Sequence, residues 1–478
     1  MRRIDRTAPR LRERARRRRR HVHCVTALAL SLLPALPADA TATQLPPAAG
    51  LEPGDGILTM ALTGDAIITR RLSPYREPDF LEMVELVRGA DVAFTNLEVL
   101  LHDYEPYPMT SSGGTYMRAD PEMARELTWA GIDLVSLANN HTGDYGVEGL
   151  RLTLEHVEAA GLVGAGAGES LWEAREARFL ETADGRVALI SVASTFTDHS
   201  VAGNARGGIR ARPGLSPLRH RRWEVLTRPR LEALREGLLG AGMDVPGSGD
   251  GFSALGRRFE VGDAPGRRTE PDPDDLAALE AVVRSADALA DYTIVTIHAH
   301  ESDGETSVPA GFIETFARAM IDAGADVMVG HGPHVLRGIE LYRGKPILYS
   351  LGDFVFQNET LLRLPDENYA RYGLGPDAHV ADFNDERYEG ETRGFPTNRE
   401  IWESVVAVPI WEDGALRELR LHPLTLGFGE PPAARGRPMF ARGELARKIL
   451  TDLVERSAPY GTRIRIVDGV GVVRPGAT

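Results

Sequence analysis

The chain of 478 residues is 42% hydrophobic and 26% charged, with 50 Gly, 31 Pro and a single Cys, a composition that excludes disordered, collagen-like and disulfide-stapled proteins. Its formal charge is -14, but eleven arginines fall within residues 1–40, so the rest of the chain stands near -22. Nonspecific binding to nucleic acid or to an anionic lipid surface needs a positive face, and this balance argues against both.

Residues 1–40 read as an export signal: a basic stretch ending in Arg16 to Arg20, an apolar run of about a dozen residues, and the small-residue pattern Ala38-Asp39-Ala40, with cleavage expected after Ala40. The run is shorter than the roughly 20 residues of a spanning helix. A periplasmic or extracellular protein is therefore expected, with membrane attachment only through an uncleaved leader. Cys24 precedes the apolar run, so the mature chain has no thiol and any metal site must use His, Asp, Glu or Asn.

A linker over 41–56 leads into alternating strands and amphipathic helices. Strands are expected over 58–63, 91–95 and 132–137, separated by a helix carrying Phe80, Met83, Val84 and Val87 and another over 121–130. A helix over 147–160 and a hairpin over 178–194, turning at Asp184-Gly185, follow. The rhythm resumes with a helix through Leu276, Leu279, Val283 and Ala286, a strand over 292–297, a helix through Phe312, Phe316 and Met320, and a strand over 325–329. Hairpins are expected at 336–351 and 405–421, then a helix over 445–453. Residues 196–274 and 356–402 break the pattern and read as irregular insertions into a domain over 57–430, with 431–478 packing on it.

Five strands end in residues of metal-ligand type: Asp65; Asn96 and Glu98; Asn139, Asn140 and His141; His298, His300 and Glu301; His331 and His334. Five of the eleven histidines outside the leader lie at these ends. In open α/β sheets ligands gather beyond the carboxyl ends of strands, so these groups are expected to converge. Carboxylate, carboxamide and imidazole together suit one or two divalent ions, Mn, Fe or Zn rather than Ca or Cu(I). A serine nucleophile is disfavoured, because no Gly-x-Ser-x-Gly elbow occurs. In the first insertion, Arg206, Arg210 and Arg212 could grip an anionic substrate.

The strings Thr63-Gly64-Asp65 with Arg70, Thr95-Asn96-Leu97-Glu98, Ala138-Asn139-Asn140-His141 with Asp144 and Gly146, Gly330-His331-Gly332-Pro333-His334-Val335 and Tyr349-Ser350-Leu351-Gly352-Asp353-Phe354 resemble those of the CapA, or poly-gamma-glutamate capsule synthesis, proteins. The resemblance covers roughly 57–360. It implies an α/β fold, a two-sheet αββα sandwich similar to the calcineurin-like metallophosphoesterases. It also implies metal ligands Asp65, Glu98, Asn140, His298, His331 and His334, with Asp65 central to catalysis, Asn96 supporting the ligands or serving as an alternate one, and His141 as the acid at the leaving oxygen. Ala66 and Ile67 follow Asp65 where typical phosphoesterases have Asp-x-His, so one metal or two stays open. His300 or Glu301 could replace His298, and Asp353 stands where Asn is usual. The function implied is a metal-dependent hydrolase, phosphoesterase-type, acting on an anionic small molecule or polymer in a capsule-synthesis complex. A noncatalytic assembly or export factor and a metal-dependent amide hydrolase are the alternatives.

Overall fold

In the computed structural model Gly54 and residues 56–476 are described; residues 1–40, expected to be an export signal, and most of the expected linker lie outside the described residues. The fold is mixed α/β with several sheets. In the largest sheet Ile57–Ile67 is central. Val92–Leu97, Leu134–Ser136 and Val163–Ala165 follow in parallel on one side, and Glu403–Glu412, Ala415–Thr425, Val470–Val473 and Arg465–Val467 continue antiparallel on the other. A six-stranded sheet runs Ile339–Tyr342, Lys345–Leu348, Val327–His331, Tyr292–His298, Gly185–Ala193 and Arg178–Thr182, its four inner strands parallel.

The period-2 alternation of a strand sends successive side chains into different cores. Leu58, Met60 and Leu62 join Val187, Leu189, Ile294, Val327 and Val329 of the six-stranded sheet in one buried cluster. From the same strand Ala61 and Ala66 face a second cluster with Phe80, Met83 and Val84 of the helix Pro78–Arg88. Val295 and Ile297 bury against Leu279 and Val283 of the helix Pro273–Asp287 and Phe312, Phe316 and Met320 of the helix Gly311–Ala323. Each fully buried Val, Leu, Ile, Phe or Met among them contributes roughly 1.5–3 kcal/mol. Pro273–Asp287 starts where the sequence dictates: the Asp272 side chain accepts from the backbone N–H of Asp274 and Asp275, and Pro273 occupies the first turn.

Two expectations are corrected. Residues 196–274 are not irregular. They hold a five-stranded sheet, from Gly247–Ser248 through Gly251–Ala254, Arg257–Val261 and His220–Leu226 to Gly266–Pro271, with the helix Arg228–Gly240 and a small core of Leu231, Leu238, Val245, Phe252 and Ala254. Its strands are short and largely solvent-facing, so charge hides their alternation. The strand expected to run to residue 351 stops at Leu348. The chain turns through Gly352, whose φ of +73° suits glycine, and Asp353–Phe356 pairs with Ile57–Ile67 in the largest sheet. That crossing brings Asp353 beside Asp65. In the second stretch, 356–402, the described elements are short helices, among them Asp366–Ala370 and Val380–Tyr388. The helix Gly443–Ser457 packs Ala446, Ile449, Leu450 and Leu453 into the cluster shared by the two sheets.

Candidate metal centre

The parallel registers decide which strand ends meet. Asp65 lies opposite both Asn96 and Asp353, and His298 lies opposite His331. Just past the last strand, Gly332 has φ +113°, and its N–H donates to Asp65 Oδ2 at 2.8 Å. A Cβ there would come within 2.9 Å of the Ala299 nitrogen, so this turn, whose N–H reaches across to Asp65 of the other sheet, requires glycine. His334 itself takes φ +59°, a left-handed conformation costly for a side chain of this size, which holds its ring toward Asp353.

Three groups of ligand atoms result, each gathered within 4.8 Å: Asp65, His298 and His331; Glu98, His300 and His334; and Asp65, His334 and Asp353. Asp65, Glu98, His298 and Asp353 are fully buried. Around them, His298 Nδ1 and His331 Nδ1 both approach Asp65 Oδ1, at 3.7 and 3.6 Å, while His298 Nε2 and His334 Nε2 approach Glu98 Oε1 at 3.8 and 3.9 Å. Asn96 Nδ2 donates to Asp65 Oδ1 at 2.8 Å, so Asn96 orients the aspartate. Asn139 Nδ2 donates to Leu97 O, and its Oδ1 accepts from the His141 N–H, fixing the loop between them. Asn140 Nδ2 donates to Gly113 O at 3.0 Å, which turns its Oδ1 away as a free acceptor.

Both carboxylate oxygens of Glu98, Asp353 Oδ2, His331 Nε2 and Asn140 Oδ1 are buried without a hydrogen-bond partner. Leaving one buried polar atom unpaired costs about 1–3 kcal/mol, and more if it is charged. Unpaired oxygens of Glu98 and Asp353 inside the gathered groups of carboxylates and imidazoles are what a cation resolves, so the residues present fit a divalent metal. The electrostatics agree. Burial, reinforced by Asp65 and Asp353, pushes the Glu98 carboxyl well above the usual range. Burial likewise raises Asp353 to about 7. Burial lowers His331 to about 4 and, with neighbouring imidazoles, holds His298 and His300 well below the ordinary value, in the neutral form a metal needs. For His334 the Asp353 carboxylate at 2.8 Å outweighs burial and raises the imidazole to about 9.

His141 sits at the rim of this cluster, its Nε2 3.9 Å from Glu98 Oε1 and its Nδ1 2.7 Å from Asp144 Oδ2. Asp144 also accepts from the N–H groups of Gly113 and Met117, so the Ser-Ser-Gly-Gly turn is laced to the histidine. The bracing role of Asp144 was readable from its i,i+3 spacing to His141; that of Gly113 was not, since nothing in the sequence connects it with Asn140. His298 and His300 both reach the cluster, in different groups. Glu301 instead accepts from the hydroxyls of Ser194 and Thr195 at 2.7 and 3.0 Å. Arg206, Arg210 and Arg212 are exposed beside an isolated bridge, and none bonds a residue of the cluster; Arg212 Nε donates to Val201 O.

Residues 59–358 match the family described as bacterial capsule synthesis protein PGA_cap. An uncharacterized protein, y4sH, of Sinorhizobium fredii is 40% identical over 87% of this chain and 93% of its own length. The capsule biosynthesis protein CapA of Bacillus anthracis is 26% identical over 66% of this chain and 64% of its own, and the PGA biosynthesis protein CapA of Bacillus subtilis 25% identical over 67% and 68%. Among solved structures, the NAD nucleotidase of Haemophilus influenzae aligns with 84% of this chain and 56% of that chain at 10% identity, with a TM-score of 0.28. Matched across its strand-end strings and beyond them, the chain belongs to the PGA_cap family of bacterial capsule synthesis proteins.

Proposed function

We propose that this protein is an exported, metal-dependent hydrolase of the phosphoesterase type that serves capsule or envelope polymer synthesis, poly-gamma-glutamate being the polymer the CapA relatives' names point to. The observation that carries it is the gathering of Asp65, Glu98, His298, His300, His331, His334 and Asp353 into three overlapping or adjoining groups of ligand atoms, with both oxygens of Glu98 and Oδ2 of Asp353 buried and unpaired. The arrangement of two sheets sharing one core with helices packed outside is read as the αββα sandwich of metallo-dependent phosphatases. When bound, one or two ions of the Mn, Fe or Zn kind supply Lewis-acid charge that activates water and neutralises a phosphoryl oxygen. The chain's own residues do the rest. Asn96 and the Gly332 N–H hold Asp65 in one orientation. Asp144 fixes the hydrogen of His141 at Nδ1, leaving Nε2 to exchange a proton with the leaving oxygen.

Metal content of the purified mature protein, with His331→Ala beside it, tests this reading. Stoichiometric metal in the parent, its loss in the variant and a parallel loss of phosphoester turnover are expected. A folded parent without metal would overturn it and leave the second reading, a noncatalytic assembly factor for an anionic polymer, which the biosynthetic names of the relatives favour. Release of free amine instead of phosphate would identify an amide hydrolase built on the same residues.

A further inference from the structure

Among the described residues, most buried and partly buried arginines are neutralised by carboxylates or held by backbone carbonyls. Arg435 pairs with Glu359 and Glu391, and Arg118 with Asp103. Arg337, fully buried, donates to the carbonyl oxygens of Thr306, Ala299 and Glu301, and Arg70 to those of Ala433 and Arg435. Arg387, on the helix Val380–Tyr388, differs from all of these. It is half-buried and has no carboxylate partner among the described residues. Its Nη1 donates to Thr115 Oγ1 at 2.7 Å and to Asn358 Oδ1 at 3.4 Å; its Nε and Nη2 have no partner among the described residues and are not sealed from solvent. The guanidinium carbon lies 5.1 to 5.8 Å from the ring centroids of Tyr388, Phe395 and Phe383.

Both supports of this guanidinium lead to the metal-ligand cluster. Thr115 follows Gly113 and Gly114, the turn whose Gly113 carbonyl orients Asn140 and whose N–H binds Asp144 behind His141. A Cβ on Gly113 would stand 2.4 Å from Asn140 O, so this turn lies directly against the ligand loop. On the other side Phe395 packs edge-on against the His334 ring, with centroids 6.3 Å apart, and against Phe356. A cation with open donors in a fixed fork, held on one side by the turn that braces Asp144 behind His141 and on the other by the ring that packs on His334, has the chemistry of an oxyanion anchor.

We infer that Arg387 is the residue that positions the anionic group of the substrate, a phosphoryl or comparable tetrahedral oxyanion, at the metal-ligand cluster. The inference rests on the hydrolase reading above and assigns to the second insertion the role that Arg206, Arg210 and Arg212 were expected to fill.

The test is calorimetric binding of inorganic phosphate to the Mn-loaded protein, for the parent, Arg387→Gln, Arg387→Lys and Thr115→Val, with metal content and melting temperature measured on each. Expected are phosphate binding by the parent, a loss of tenfold or more in Arg387→Gln with metal content unchanged, partial recovery in Arg387→Lys, and a smaller loss in Thr115→Val. A merely structural arginine would lower the melting temperature of Arg387→Gln without separating it from Arg387→Lys in phosphate affinity. Undiminished phosphate binding by metal-loaded, folded Arg387→Gln overturns the inference while leaving the hydrolase reading intact. A parent that holds metal but binds no phosphate also overturns it, whereas a parent that holds no metal sinks both.

Discussion

Glu98 is fully buried, has no hydrogen bond to either oxygen, and lies among Asp65, Asp353 and the imidazoles of His141, His298, His300 and His334. A carboxylate in that position is tolerable only protonated or opposite a cation, since an unpaired buried charge costs several kcal/mol. His141 belongs to the same site but to another kind of chemistry: it has a fixed partner, Asp144, and one free nitrogen at the rim. This division predicts that His141→Asn keeps the metal content of the parent while kcat on a phosphoester falls about 10²- to 10⁴-fold. Asp144→Asn is expected to lower kcat as well, because the ring stays in place but loses the carboxylate that fixes its tautomer and supports its protonated form. Equal kcat in parent and His141→Asn, or loss of metal from His141→Asn, would remove the proton-transfer role. The ligand types and their strand ends were legible in the sequence because each follows an apolar run directly. What was not legible was the division of labour between neighbours, such as Asn140 presenting a free oxygen while Asn139 braces the loop, because that depends on the Gly113 turn more than twenty residues upstream.

The strands and helices that place these residues were largely readable. Alternation along Ile57–Ile67 and Tyr292–His298 separates two cores cleanly, and helices such as Gly311–Ala323 show their apolar face in the spacing of Phe312, Phe316 and Met320. The small sheet within 196–274 was hidden, because its strands carry arginines on both faces and bury few side chains. The switch of Asp353–Phe356 into the other sheet was hidden too, because a single glycine turn makes it. Turns of this kind predict a contrast between two glycines. Gly332→Ala must accept a Cβ against the Ala299 backbone at a positive φ and disturb the N–H that holds Asp65, so it should lose roughly 1–3 kcal/mol of stability and most of its bound metal. Gly344→Ala, at φ +79° in an open hairpin with no neighbour within 4 Å, should lose about 1 kcal/mol and keep its metal. Urea unfolding and metal analysis of both variants check this, and retention of metal by Gly332→Ala would show that the turn does not set the ligand geometry.

Protonation connects the centre to the stability of the whole chain, through groups of opposite sign. Burial holds His102, away from the candidate metal ligands, down to about 4. As pH falls the unfolded chain takes up this proton first, so the stabilisation is complete above about 6.5 and is lost toward 4, on the order of 2 kcal/mol by pH 5. Glu98 and Asp353 act the other way. Their folded carboxyls are raised, Asp353 to about 7, so between about pH 4 and 7 the metal-free fold retains protons that the unfolded chain releases, and its stability from these groups falls as pH rises. A divalent ion takes the place of those protons and needs the imidazoles neutral. Stabilisation by metal should therefore grow from pH 5 to pH 8, reaching about 2.7 kcal/mol at a free metal concentration of 100 Kd. Thermal unfolding with and without Mn at each pH reads this directly, and calorimetric titration in buffers of different ionisation enthalpy should show protons released near pH 6. His102→Gln should flatten the acid limb equally in metal-free and metal-loaded protein, because His102 is no part of the centre. Metal stabilisation that is the same at pH 5 and pH 8, with no proton released, would mean that the ion does not bind at Glu98 and Asp353.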